Sequence, residues 1–145
     1  MHNITFHFEN IEIPDFDSEF FSLWLSKVTG YYGRSTGDIA YVFCSDKYLL
    51  EINQKHLDHD YYTDIITFNY NNGGVISGDM YISVERVKEN ALTFEVDFLT
   101  ELSRVMAHGF LHLIGYNDIT EEEKLEMREQ ETKCLILLKD VSRET

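Results

Sequence analysis

Several features that mark whole protein classes are missing from this sequence. It holds one proline and two cysteines. Pro14 precedes the first helical pattern, and no proline-, glycine- or serine-rich stretch marks a linker, so nothing divides the chain into separate domains. Neither Cys44 nor Cys134 lies in a CxxC. Two isolated thiols fit small core residues in a reducing compartment better than a disulfide. Long apolar runs are also missing: the longest aliphatic one, Leu135 to Leu138, falls far short of the about 20 residues a membrane helix needs. The N-terminal stretch MHNITFHFEN has neither the basic segment nor the apolar stretch of a signal peptide. We therefore expect a cytoplasmic protein with no membrane partner.

Positive charge is scarce as well. Against 26 acidic residues stand 12 Lys and Arg, a formal net charge of −14. A field of that sign repels nucleic acid at long range and favours cations or basic proteins, so a polyanionic substrate must be held by local contacts. The acids are spread along the chain, and their one dense run, Glu121 to Glu123, reads as a solvated helix start.

What is present suits one compact domain. With 43% hydrophobic and 14% aromatic residues in 145, the chain can bury one sizeable core, and we expect a single domain over residues 1–145. Ile4 to Phe8 alternates as a strand. Asp17 caps a helix whose apolar positions Phe20, Phe21, Trp24, Leu25 and Val28 run to Gly30. Ile39 to Cys44 is a short apolar strand, and Ser45 or Asp46 caps a helix through Leu49, Leu50 and Ile52. Ile65 to Tyr70 and Val75 to Ser83 are β-rich, joined through Asn71–Gly74 as a hairpin. Helices follow over about 84–92 and 97–114, and a last one begins at Thr120, which forms a capping box with Glu123, and runs past Leu138. The sum is an α+β protein of the broad α/β class: a small mixed four-stranded sheet covered by about five helices.

The stretch HGFLHLIGYND, residues 108 to 118, carries the chemistry. Four residues advance a helix by about 400°, so His108 and His112 lie on one face with ring nitrogens able to meet at one ion. Gly115 can end that helix in a left-handed residue and send the chain back toward the same face, which returns Asp118 to the histidines. Two imidazoles and a carboxylate leave a fourth position open, the pattern of a catalytic zinc site. By ligand type zinc comes first, and nickel, iron and manganese are admissible. The spacing equals HExxHxxGxxH of the metzincin proteases with the third ligand changed to Asp, but Gly109 stands where those enzymes have the glutamate that acts as general base. Peptide hydrolysis loses its proton shuttle. Gly109 leaves room for substrate or for another backbone, a property that packing against a strand also requires. Glu101 lies on nearly the same face about two turns earlier and reads as a favourable first-turn acid.

Further segments join this one. HGFLHLIGYND is similar to the HGxLHLxGYDH of the YbeY family of bacterial rRNA maturation factors. TDIITF (Thr63 to Phe68) resembles that family's TDVLSF, GDMYIS (Gly78 to Ser83) its GDIxIS, and ELSRVMAHG and EMREQE extend the likeness from Asn53 to Glu131. The resemblance implies a zincin-like α/β domain and a metal-dependent endoribonuclease of single-stranded RNA. Its roles would be 16S rRNA 3′-end processing and ribosome quality control, with ribosomal small-subunit proteins as partners. His108, His112 and Asp118 would hold one divalent ion, usually zinc, and the histidines would be catalytic through its water. Asp64 and Ser83 would line the cleft, their ordinary alternatives being strand-end hydrogen bonding and helix capping.

Two positions depart from the family pattern. Asp118 replaces a third histidine, which adds negative charge and makes the metal a weaker Lewis acid. Leu57 stands where the family has an arginine suited to clamp phosphate, leaving Lys55, His56 or His59 to supply a positive contact. Two other readings remain open: a metal hydrolase of another substrate, and a ribosome-assembly binder whose metal is structural.

Overall fold

A computed structural model describes residues 3–57 and 63–144, with side chains as far as Val141 in the last helix. Short-range signals set the element ends. Strand β1 (Ile4–Phe8) leads to α1 (Ser18–Tyr31), whose cap Asp17 accepts a hydrogen bond from the Phe20 amide at 3.0 Å. Strand β2 (Ser35–Cys44) is followed by α2 (Asp46–Leu57), capped by Ser45, which accepts from the Tyr48 amide. Strands β3 (Ile65–Asn69) and β4 (Val75–Ser83) form the expected hairpin. Then come α3 (Val84–Thr93), α4 (Phe98–Ile114) and α5 (Glu121–Glu144). Thr120 and Glu123 exchange both capping-box bonds, at 2.9 and 3.1 Å, ahead of α5. Each such cap typically stabilises by about 1 kcal/mol.

The sheet runs β1-β2-β4-β3, with β1–β2 and β2–β4 parallel and β3–β4 antiparallel. It is the mixed four-stranded sheet with five helices that the sequence pattern implies. β2 starts at Ser35, four residues before the apolar run. Its polar first half pairs with Val75 and Ile76 through a bulge between Thr36 and Ile39, so tertiary pairing extends a strand that propensity alone would not.

Period two along β3 and β4 sends side chains to opposite faces. Ile65, Met80 and Ile82 join α1, α4 and α5 in the main core, while Ile66, Phe68 and Tyr81 pack with Tyr48, Leu49 and Ile52 of α2. Buried Trp24 and Tyr41 satisfy their polar atoms on the carbonyls of Cys134 and Met106, at 2.8 and 2.9 Å. Helix α4 lies on β3 and β4 at close range. A Cβ on Gly109 would stand 2.5 Å from Ile65 Cδ1 and 2.9 Å from Met80 Sδ, so this glycine serves the contact between helix and sheet. Among the described residues no helix is long and apolar enough to cross a membrane. Both cysteines are free and buried.

Candidate metal centre

Helix α4 ends where the sequence places its stop. Gly115 takes φ +123°, and its amide and that of Tyr116 both bond the Leu111 carbonyl at 3.0 Å, reversing the chain. The turn brings Asp118 back over the helix. Its Oδ2 lies 3.2 Å from His108 Nε2 and 3.5 Å from His112 Nε2, and the two Nε2 atoms are 3.0 Å apart. Donors at the corners of a tetrahedron, with ligand bonds of about 2.0–2.1 Å, stand about 3.3 Å apart, so the spacing fits one small divalent ion.

The other ring nitrogens are engaged outward. His112 Nδ1 is 3.0 Å from the Tyr116 carbonyl, and His108 Nδ1 is 2.6 Å from Glu131 Oε2. Since a carbonyl and a carboxylate only accept, Nδ1 carries the proton in both rings and both Nε2 lone pairs face each other and Asp118. Three acceptors converging on one point repel unless a cation or a proton lies between them. The donor set, two imidazoles and a carboxylate, fits a metal ion on chemistry as well as on distance.

Behind His108 runs a chain of charges, two buried carboxylates joined by the half-buried Arg104. Glu131, 5% exposed, also accepts from Arg104 NH1 at 3.2 Å, and Arg104 forks onto Glu101 at 2.6 and 3.0 Å. Hydrogen bonding to Glu101 outweighs burial and keeps the Arg104 guanidinium firmly charged. Burial opposes protonation of His108, yet the hydrogen bond and charge of Glu131, with Asp118 and Asp64 nearby, hold its pKa above the ordinary value. Glu101 is the first-turn acid of α4 that the sequence implies, and at 2% exposed it also anchors the network. Sequence reasoning passed over Arg104 and Glu131 as individual residues. Their signal lay in the flanks ELSRVMAHG and EMREQE, where Glu101, Arg104 and His108 fall on one helix stripe.

The histidines and Asp118 open on a cavity of about 510 Å³ lined also by Asn53, Leu57, Thr63, Asp64, Thr67 and Asn69. Leu57 stands at the expected arginine position, and no Lys or Arg lines the cavity among the described residues. Asp64 faces this space, and burial raises its pKa despite the opposing charges of His108 and Arg104. Ser83 does not line it. Fully buried, Ser83 caps α3 through the Arg86 amide and lies 3.1 Å from Asp46 Oδ1, so the capping alternative describes it. Lys55 is exposed on α2 and outside the lining, while His56 packs against Phe68 on the other side of β3. His59 lies outside the described residues.

A mixed sheet under a helix that presents two histidines, with a carboxylate returned by a glycine turn, defines a small α+β protein with a candidate metal centre at the edge of an open cleft. A family model described as Endoribonuclease YbeY matches residues 3–139. A protein of that description from Parabacteroides distasonis is 46% identical over 97% of this chain and 99% of its own length. One from Flavobacterium psychrophilum is 48% identical over 92% and 95%. The chain belongs to the YbeY family. The solution structure of a Thermotoga maritima protein also matches, with a TM-score of 0.67 at 26% identity over 97% of this chain and 92% of that one.

Proposed function

We propose that this protein is a metal-dependent endoribonuclease of single-stranded RNA, acting in rRNA maturation at the 16S 3′ end and in ribosome quality control. The observation that carries the reading is the convergence of His108 Nε2, His112 Nε2 and Asp118 Oδ2 within 3.0–3.5 Å at the edge of an open cavity, in a chain of the YbeY family. A bound divalent ion, zinc first by donor type, supplies Lewis acidity toward a phosphoryl oxygen and an activated water.

The chain's own residues do the rest. Glu131 and the Tyr116 carbonyl fix the histidine tautomers, so both Nε2 atoms stay available as ligands. Asp118 contributes charge where the family pattern HGxLHLxGYDH has histidine, which makes slower chemistry the expectation. Asp64, on the cavity wall, is the carboxylate we assign to accept the proton of the attacking water. Asn53, Thr67 and Asn69 offer neutral donors to the phosphodiester in place of a cationic clamp. Gly109 supplies no glutamate for peptide hydrolysis.

Charge favours one further reading. A protein of formal net charge −14 suits docking on basic proteins of the small ribosomal subunit in the cytoplasm, where it would assist assembly with a structural metal. Cleavage of unstructured RNA by the metal-loaded protein, and not by chelated protein or by His112→Ala, supports the enzyme. Equal cleavage by all three samples would mean a contaminating nuclease, and cleavage by none would favour the assembly role. Metal content is the parallel check on the site, and His108→Ala and His112→Ala should each lose the bound ion.

A further inference from the structure

The far side of β3 carries a second concavity. Tyr48, Ile52 and His56 from α2, Phe68 and Tyr70 from the β3 side, and Asp79 and Tyr81 from β4 enclose about 210 Å³. That is below the roughly 300 Å³ at which sites for whole small ligands begin, and it suits a single flat ring. The rings meet edge to face: His56 and Phe68 at 6.0 Å and 85°, Phe68 and Tyr81 at 5.9 Å and 90°. Neither pair is stacked face to face, and all four aromatic side chains and His56 line the cavity. Tyr70 is 60% exposed at the mouth of the pocket.

This pocket adjoins the metal cleft through shared walls. Strand β3 sends Thr67 and Asn69 into the cleft and Phe68 into the aromatic pocket, while α2 sends Asn53 and Leu57 one way and Ile52 and His56 the other. The cleft has no described Lys or Arg in its lining. An RNA bound there needs affinity from a source other than phosphate neutralisation, and base stacking on aromatic rings supplies it without positive charge. Asp79 sharpens the choice of base. A carboxylate in the pocket repels phosphate and accepts from N–H groups, and no described residue hydrogen-bonds it. Guanine alone among the RNA bases presents two adjacent N–H donors on its Watson–Crick edge, which a carboxylate engages in bidentate fashion.

We propose that the pocket of Tyr48, His56, Phe68, Tyr70, Tyr81 and Asp79 is a base-binding subsite that stacks one unpaired nucleobase of the RNA and selects guanine through Asp79. The choice of ligand rests on the endoribonuclease reading. The same rings around a carboxylate also match a cage for a cationic side chain. The shared walls with the cleft favour a base, and the test discriminates the two.

Fluorescence anisotropy of the full chain in chelator, which blocks cleavage, measures binding of labelled octauridylate and of the same strand with one central guanosine. Stacking contributions of the usual size predict roughly tenfold tighter binding of the guanosine strand. Asp79→Asn should bring the two strands to within about twofold, and Tyr70→Ala, at an exposed position, should weaken both. Circular dichroism verifies that the variants are folded. Should Tyr70→Ala misfold, free guanosine should shift Tyr and Phe ring signals in the NMR spectrum of the wild-type protein. Equal affinity for both strands in wild-type protein overturns guanine selection, and no weakening in folded Tyr70→Ala overturns the subsite. Ring signals that shift with N-acetylarginine amide and not with guanosine assign the pocket to a cation instead. Metal-dependent cleavage measured in parallel separates the ideas: cleavage without guanosine preference sinks only the subsite, and preference without cleavage sinks only the nuclease.

Discussion

Glu131 sits one hydrogen bond behind the candidate metal ligands and orients one of them. Its carboxylate touches His108 Nδ1 at 2.6 Å and Arg104 at 3.2 Å, so it orients the ring and raises the basicity of Nε2. Glu131→Gln keeps the size but loses the charge, and metal affinity should fall about 10–100-fold, read by competition with a chromogenic chelator. An unchanged affinity would show that the Glu131 contact is merely structural. The two thiols make a second prediction at this scale. Burial pushes Cys44 up to about 12 and Cys134 to about 11, from an ordinary 9.0. Folded protein therefore keeps these protons to higher pH than unfolded protein, whose thiols ionise near the ordinary value of 9.0. Stability contributed at neutral pH is lost as pH rises from that value toward 11. A thiol reagent at pH 8 should label neither cysteine until denaturant is added, and rapid labelling of native protein would contradict the burial.

Glycines at the contacts between elements decide how closely the parts approach. A Cβ on Gly78 would lie 2.5 Å from the carbonyl oxygen of Phe68 on the paired strand and 2.8 Å from Leu113 of α4. Backbone cannot step aside as a side-chain end can. Gly78→Ala should therefore cost about 2–3 kcal/mol in urea unfolding. Gly109→Ala, which meets only the ends of Ile65, Met80 and Thr67 and gains helix propensity, should cost clearly less. The reverse order would refute this account of GDMYIS. Elements also show what was readable in advance. Caps at Asp17, Ser83, Asp97 and Thr120 and the apolar periods act within a few residues, so strand and helix positions were legible. The glycine turn that returns Asp118 is equally local. The polar half of β2, the contacts of Glu131 with Arg104 and His108 and the sealing of Ser83 arise from partners far along the chain, which no local pattern encodes. Resemblance supplied what periodicity could not, the order of motifs; it also offered Ser83 for a cleft that the packing keeps it out of.

The whole molecule adds a constraint that no single residue shows. An RNA-binding protein that neutralises phosphates with Lys and Arg releases counterions, and its affinity drops about 10³–10⁵-fold between 50 and 200 mM salt when it makes 6–10 such contacts. This chain has a formal net charge of −14 and a candidate metal cleft with no Lys or Arg among the described residues of its lining. Few counterions are released on binding, while added salt screens a repulsion that opposes approach at distances beyond about 10 Å. The two effects have opposite signs, so affinity for unstructured RNA should change by less than about tenfold over that range, and the association rate should rise with salt. Anisotropy titrations and stopped-flow mixing at matched metal content measure both quantities. A steep loss of affinity with salt would place several basic side chains on the bound strand, and the binding path would then have to run past exposed lysines such as Lys55 rather than over the neutral donors and aromatic rings on the two faces of β3.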